Sequence, residues 1–97
     1  TISTNQITNP QNFYIDSAYP NPFNPQTTIK INVPYSNNII VNIYDVNGKH
    51  ILKLLEGNYE LGQYNIDWNA KGVPSGIYFI RLSTTTQTSS TKVVLMK

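Results

Sequence analysis

The sequence predicts an all-β protein, an antiparallel β-sandwich of about seven strands with essentially no helix. Short stretches alternate apolar and polar residues with a period of two, as expected for strands with one buried face. Turn residues separate these stretches at nearly regular spacing. Tyr, Thr, Asn and Ile are abundant, and no window shows the 3.6-residue periodicity of a helix. Together these features are typical of an immunoglobulin-like sandwich.

Length and composition limit the possible functions. A chain of 97 residues forms one domain with a core of its own. The net charge is only +2 and the basic residues are scattered, which argues against nucleic-acid binding. No apolar run approaches the roughly 20 residues of a membrane helix. Low charge and abundant Thr, Asn, Ser and Tyr favour an extracellular setting, whereas the absence of cysteine suits either a cytosolic domain or a secreted one without disulfides. A chain that begins at Thr1 is expected to be a processed product or part of a longer protein.

Residues 1–12 are predicted to form an extended tail or linker, and residues 13–97 the sandwich. The tail is polar, with Ile2 and Ile7 as isolated apolar residues, so it cannot form a core of its own. Its alternation of Thr, Ile and Ser would suit a strand that adds to the sheet edge of a neighbouring molecule.

A proline-rich segment, residues 19–25, has the most constrained backbone in the chain. Pro20, Pro22 and Pro25 fix φ at three positions and move the residue before each proline out of the helical region. The segment therefore cannot be a central strand. Phe23 is predicted to plug one end of the core, because flexible linkers seldom hold aromatic residues among their prolines. The alternative is an exposed linker.

The alternation predicts seven strands, at residues 13–18, 27–33, 39–46, 49–55, 63–69, 76–83 and 92–97. In the first strand, Ser17 is predicted to share the face of Ile15. Trp68, the largest core residue, lies near the end of the fifth. The sixth strand is apolar on both faces, so it is predicted to be central and covered by protein on both sides. Looser connections are predicted at 56–58 and 84–91, the latter a hairpin loop with strand margins.

Three turns are predicted from residue type. Asn47 and Gly48 indicate a type I′ hairpin, in which both turn positions need φ above zero. Two consecutive turns are predicted at residues 69–72 and 73–76, and in the second Pro74 and Gly76 occupy the second and fourth positions of a type I turn. Tyr78, which follows this turn, is placed to donate its hydroxyl to the upstream backbone, as in a tyrosine corner.

Residues for catalysis or metal binding are missing or scattered. His50 is the only histidine and is expected to be an outward polar residue, and no serine lies in a nucleophile elbow. Asp45 and Asp67 are expected to accept backbone N–H bonds; a calcium site is the alternative, without the spacing that would support it. The tyrosines are interpreted as strand residues rather than a carbohydrate platform. No enzyme activity, cofactor or metal is predicted.

Five blocks of the sequence occur in the order seen in a known family. The first holds Pro20, Asn21, Pro22, Phe23, Asn24 and Pro25, and the others are the Asn47-Gly48 hairpin, the strand with Trp68, the Pro74-Ser75-Gly76 segment with its strand, and the basic-ended final strand. Together they resemble the type A C-terminal sorting domain of the type IX secretion system of Bacteroidetes-type bacteria. The immunoglobulin-like domain of the flagellar hook-assembly scaffold protein has a similar opening.

The resemblance implies a non-catalytic module that directs a secreted protein through the type IX system to the cell surface. In the family, an outer-membrane translocon recognises the domain and a sortase-like peptidase removes it. Recognition is thought to depend on the last strands, which implies a role for Gly76, Tyr78, Arg81, Lys92, Val94, Met96 and Lys97. Family members normally follow a large enzyme or adhesin, whereas only the short tail precedes the domain here.

Two other functions stay open from the sequence. A structural subunit would assemble into filaments by adding its tail to the next copy, and it predicts an oligomer in solution. An accessory module would bind sugar or protein beside an enzyme, and it predicts glycan binding through exposed tyrosines.

Overall fold

The computed structural model describes residues 12–97, and none of these residues is helical. Seven strands follow one another: β1 (Tyr14–Tyr19), β2 (Gln26–Val33), β3 (Asn37–Asp45), β4 (His50–Tyr59), β5 (Gly62–Asn69), β6 (Gly76–Ser83) and β7 (Thr88–Leu95). The predicted tail, with its possible strand addition, lies outside the described residues apart from Asn12. No helix within residues 12–97 could span a membrane.

The strands form two sheets. One has three strands in the order β1-β2-β5, and the other has four in the order β4-β3-β6-β7. All neighbouring strands are antiparallel. In the constant-type immunoglobulin sandwich the fourth strand belongs to the first sheet, whereas here β4 pairs with β3. The prediction of an all-β sandwich with seven strands is confirmed.

The core lies between the sheets and is built by the alternation that the sequence shows. In β2 every second residue is buried, from Thr27 to Val33. The buried apolar residues are Phe13, Phe23, Ile29, Ile31, Val33, Ile39, Val41, Ile43, Trp68, Ala70, Tyr78, Ile80, Leu82, Val93 and Leu95. Thr27 is the buried polar residue among those described, and its hydroxyl donates to the Pro20 carbonyl oxygen at 2.8 Å. Its polar atom is therefore satisfied, as burial requires.

Two strands are longer than predicted. Residues 56–58, predicted as a loose connection, belong to β4, where Glu56 pairs with Ile40. Residues 88–91, predicted as the margin of a hairpin loop, belong to β7, where Ser89 pairs with Leu82. Both corrections have one cause: a polar segment joins a sheet when a neighbouring strand offers a full ladder of backbone hydrogen bonds, whatever its own hydrophobicity.

The set of β1 residues that face the core also differs from the prediction. A bulge between Ile15 and Ser17 shifts the register, so that Ile15 pairs with Ile31 and Ser17 with Lys30. Ser17 is consequently exposed rather than on the face of Ile15, and Ala18 takes the half-buried position. An extra residue in one strand reverses the alternation beyond it, and periodicity alone does not locate such a residue.

The hairpin between β3 and β4 is at the predicted place, but its turn is not type I′. No residue other than glycine has positive φ in the described chain, so Asn47 cannot occupy such a turn. Instead the Gly48 N–H donates to the Asp45 carbonyl at 3.0 Å, and Gly48 itself has φ of 82°. This is the three-residue loop in which a type I turn is followed by a left-handed glycine. Asp45 selects it by accepting the Asn47 and Lys49 N–H groups, both at 2.9 Å.

The hydrogen-bonded turn between β5 and β6 lies at the first of the two turns predicted there, one residue further along the chain. The Val73 N–H donates to the Ala70 carbonyl at 3.0 Å, so the hydrogen-bonded turn has Lys71 and Gly72 at its centre. The Pro74-containing segment, predicted as a type I turn, is a bend that leads into β6. Its conformation is held by the Tyr78 side chain rather than by a backbone hydrogen bond of its own.

Strand β6 is central, as predicted, with β3 on one side and β7 on the other. Its inner face is buried through Tyr78, Ile80 and Leu82. The expectation that protein covers both faces is not met within residues 12–97, because Ile77 and Phe79 on the outer face are 39% and 37% exposed. An antiparallel sheet commonly has one solvated face, and here two large apolar side chains of the same strand lie on it.

Candidate functional site

The proline segment, residues 19–25, lies along the free edge of the last strand. Phe23 forms a single parallel bridge to Leu95: its N–H donates to the Val94 carbonyl at 2.9 Å, and its carbonyl accepts from the Met96 N–H at 3.0 Å. The bridge is possible because Phe23, unlike the prolines beside it, has an N–H. The peptide bonds before Pro20, Pro22 and Pro25 are cis.

The Asn21 side chain extends this contact as if it were a further strand residue. Its amide nitrogen donates to the Lys92 carbonyl at 3.1 Å, and its amide oxygen accepts from the Val94 N–H at 2.9 Å. A primary amide has a donor and an acceptor, like a backbone peptide group, so it satisfies an edge that would otherwise be open. From Lys92 to Met96, the edge of β7 is therefore occupied within the molecule.

The start of β7 is also attached to the other sheet. The Phe13 N–H donates to the Gln87 side-chain oxygen at 2.9 Å, and the Ile15 N–H donates to the Ser89 hydroxyl at 3.2 Å. Side chains thus take the place of a backbone ladder between β1 and β7. These bonds join the two sheets along one side of the sandwich.

An aromatic cluster supports the proline segment from inside. The Phe23 ring lies 5.2 Å from the Trp68 ring, and the Trp68 ring lies 5.7 Å edge-on from the ring of Tyr78. Phe23 is only 3% exposed, which confirms that it plugs the end of the core. The Ala70 N–H, which donates to the Pro25 carbonyl at 2.8 Å, fixes the end of the segment. The Trp68 indole N–H is buried without a partner among the described residues.

Tyr78 forms the predicted tyrosine corner. Its hydroxyl donates to the Pro74 carbonyl at 2.6 Å, and the residue is 5% exposed. Burial raises the pKa of this phenol above its ordinary 10.0, and the negative charge of Asp45 raises it further. The phenol therefore stays protonated and remains a hydrogen-bond donor at physiological pH.

The outer side of the last two strands presents a surface that is both apolar and basic. Ile77 pairs with Val94, Phe79 pairs with Lys92, and Arg81 follows on the same side of β6. We call these five residues the β6–β7 face. The Arg81 guanidinium lies 4.5 Å from the centre of the neighbouring Tyr44 ring, a cation–π contact that holds it flat on the sheet.

The structure brings together only part of the predicted recognition set. Arg81, Lys92 and Val94 lie in the β6–β7 face, and Met96 and Lys97 follow directly after β7. Tyr78 points the other way, into the core. Gly76 begins β6 at a φ of 157°, with the Tyr78 ring 4.0 Å from where a Cβ would stand. Five of the seven residues therefore lie on or directly beside one surface, and the recognition role of all seven stays a prediction.

The carboxylates and the histidine have local roles. Asp45 accepts backbone N–H bonds, as predicted. Asp67 does not; its carboxylate accepts the Thr28 hydroxyl of the paired strand at 2.7 Å. His50 is exposed, as expected, with Nε2 3.0 Å from the Asn42 side-chain oxygen. Within residues 12–97, no group of three or more metal-binding side chains comes together.

Comparison with protein families assigns the chain to a family. The model of the "Secretion system C-terminal sorting domain" family matches residues 17–96, which is most of the chain. The chain belongs to this family. A search of curated proteins gave no match.

Sorting domains of this family are signals for type IX secretion, and the proteins that carry them reach the cell surface or the extracellular space. The family is non-catalytic. The match spans every strand from β1 to β7 in part or whole, so the family signal and the sandwich coincide. It includes the proline segment and the β6–β7 face of this sorting domain.

Sequence reasoning missed the residues that attach the last strand of the sorting domain to the rest. Asn21 contacts Lys92 and Val94, which lie 71 and 73 positions further along the chain. Gln87 and Ser89, predicted as loop residues, each accept an N–H bond from 74 positions earlier. No local sequence pattern predicts contacts between residues so far apart in the chain. The available signal was the position of Asn21 between two prolines, which restrict the backbone conformation around it.

Proposed function

We propose that this chain is the sorting and anchoring module of a secreted protein, read by the outer-membrane translocon of the type IX system through its last two strands. After transport a sortase-like peptidase would remove it, and the module itself catalyses no reaction. The family match carries this proposal. The grouping of Arg81, Lys92 and Val94 on one surface supports it.

The experiment is an export assay. The 97-residue chain is fused to the C-terminus of a periplasmic reporter, and the fusion is expressed in a bacterium with a type IX system and in the same strain without the translocon. We expect the reporter at the surface or in the medium of the first strain and in the periplasm of the second. Retention in the periplasm of both strains, or release from both, would contradict the proposal.

Removing the last strand is a poor version of this test. Val93 and Leu95 are fully buried, so deletion of residues 92–97 would remove part of the core as well as the recognition surface. Loss of export would then report unfolding. Substitutions on the exposed side of the strand separate the two effects.

A self-assembling subunit remains only a prediction from the sequence. It depends on the tail, residues 1–12, of which the structure describes only Asn12. No described contact favours it over the sorting function.

A further inference from the structure

The edges of the sandwich limit how a partner can read the domain. A partner that adds a strand needs a free, regular edge. The β7 edge is occupied from Lys92 to Met96 by Phe23 and Asn21. The β4 edge is interrupted by two register shifts against β3, and bulges of this kind oppose strand addition. From Lys92 to Met96, therefore, side chains rather than backbone groups are available to a partner.

The β6–β7 face offers side chains that a solvated sheet does not need. Ile77 and Phe79 stand on the outer side of a central strand and are more than a third exposed. Tyr14 is similarly exposed on the other sheet, but its neighbours there, Ser17 and Asn32, are polar. An apolar group with a charged rim is the usual composition of a protein-binding surface.

The charged residues within this face are both positive. Arg81 and Lys92 lie within it, and Lys53 stands on the same side of the sheet beyond Asn42. Glu56 is the acidic residue of β4 on this side, and it is paired with Lys53. Asp45 lies at the end of β3 and accepts two backbone N–H bonds. The positive charges of Arg81 and Lys92 are therefore not neutralised by a carboxylate on the described surface.

We infer that the secretion machinery reads this domain by docking a protein surface of apolar side chains with carboxylates at its rim onto the β6–β7 face, and not by adding a strand to β7. This inference rests on the proposed function. Apolar contact at Ile77, Phe79 and Val94 would contribute affinity. The cations would attract and orient the acidic partner, and that contribution weakens as salt rises.

Two matched pairs of variants test it in the reporter fusion described above. Arg81→Glu with Lys92→Glu reverses the charge of the face, and Lys30→Glu with Lys71→Glu makes the same change elsewhere, each pair taking the net charge from +2 to −2. Phe79→Asn removes an apolar group that is 37% exposed, and Tyr14→Asn removes one that is 39% exposed on the other sheet. Thermal unfolding of each purified chain verifies that it is folded.

Both face variants are expected to lower the exported fraction by about tenfold or more, because they remove contacts of the binding interface. Both control variants, which change the surface elsewhere, are expected to lower it by less than about twofold. Normal export of folded face variants would overturn the inference and leave the sorting function intact. Equal losses in face and control variants would also overturn it. Failure of the unsubstituted fusion to be exported would remove the sorting function, and the inference with it.

One further variant separates face recognition from edge recognition. Asn21→Ala frees the Lys92 carbonyl and the Val94 N–H without changing the β6–β7 face. Docking on the face predicts export within about twofold of the unsubstituted fusion, since rim and edge changes outside a contact have small effects. A clear increase in export would assign recognition to the β7 edge and overturn the inference.

Discussion

Phe23 and Tyr19 lie in the same proline segment and have opposite environments. Phe23 is 3% exposed and contacts Trp68, whereas Tyr19 is 78% exposed. Burial of an aromatic ring, not the stiffness of the prolines alone, therefore attaches the segment to the core. The prolines contribute by leaving the segment few other conformations to lose on folding.

Phe23→Ala is expected to lower the free energy of unfolding by about 3–5 kcal/mol, because it removes buried surface and leaves a cavity beside Trp68. Tyr19→Ala is the matched control, and its effect should stay within about 0.5 kcal/mol. Urea unfolding followed by tryptophan fluorescence measures both. Equal decreases in unfolding free energy for Phe23→Ala and Tyr19→Ala would show that Phe23 does not attach the segment to the core.

Tyr78→Phe removes the hydrogen bond to the Pro74 carbonyl and leaves the ring in place. The free energy of unfolding should fall by about 1–2 kcal/mol at neutral pH, the usual effect of deleting one partner of a buried hydrogen bond. Tyr19→Phe, at an exposed position, provides the control. A Tyr78→Phe variant as stable as the parent would mean that the corner contributes nothing to the fold.

The stabilising effect of Tyr78, measured as the difference between the parent chain and Tyr78→Phe, is predicted to depend on pH. Since the folded pKa of Tyr78 is raised above 10.0, the unfolded chain releases this proton first. The stability that Tyr78 contributes is present below pH 10 and is lost as the pH rises through the folded pKa. The difference in unfolding free energy between parent and Tyr78→Phe should therefore shrink from pH 8 to pH 11 and above. A difference that is constant over this range would contradict the assignment.

Among the elements, β7 depends most on contacts outside its own sheet. Its outer edge has no strand neighbour, yet Phe23, Asn21 and the amino-terminal end of β1 provide partners for it. This arrangement explains how a strand that begins with Thr88, Ser89 and Ser90 is held in register. It also removes an unpaired edge near the chain end, where strand addition between copies would cause aggregation.

Asn21→Ala should lower the free energy of unfolding by about 1 kcal/mol, since two solvent-accessible hydrogen bonds are lost and water replaces them in part. It should also promote self-association by opening the edge of β7, which sedimentation velocity would detect. Asn24→Ala, an exposed asparagine of the same segment, is the control. Unchanged stability with no self-association would show that the Asn21 amide does not protect this edge.

For the whole molecule, the sandwich was predictable because the core follows a period of two in β2, β3 and β6. What the sequence did not reveal depends on partners distant in the chain. The bulge at Ser17, the extension of β4 to Tyr59 and the start of β7 at Thr88 are each set by the strand alongside. The turn after Asp45 was mistaken in type because a side-chain bond, not the Asn-Gly pair, selects it.

The make-up of the β6–β7 face was predictable only in part, for the same reason. Alternation along β6 and β7 places Arg81, Lys92 and Val94 on one side, and this much follows from strand geometry. The outer exposure of Ile77 and Phe79 did not follow, since apolar residues on both faces predicted burial on both. Which edges are closed depends on Asn21 and Phe23, whose contacts join the two ends of the chain.

The central claim is that the proline segment closes the edge of the last strand, which leaves the β6–β7 face as the surface a partner can read. Hydrogen exchange of single amides in the free domain, followed by NMR, tests it most directly. We expect the Val94 and Met96 amides, which donate to Asn21 and Phe23, to exchange slowly, as protected strand amides do. Exchange of both at the rate of an unprotected amide, while the central strand β6 stays protected, would contradict the account.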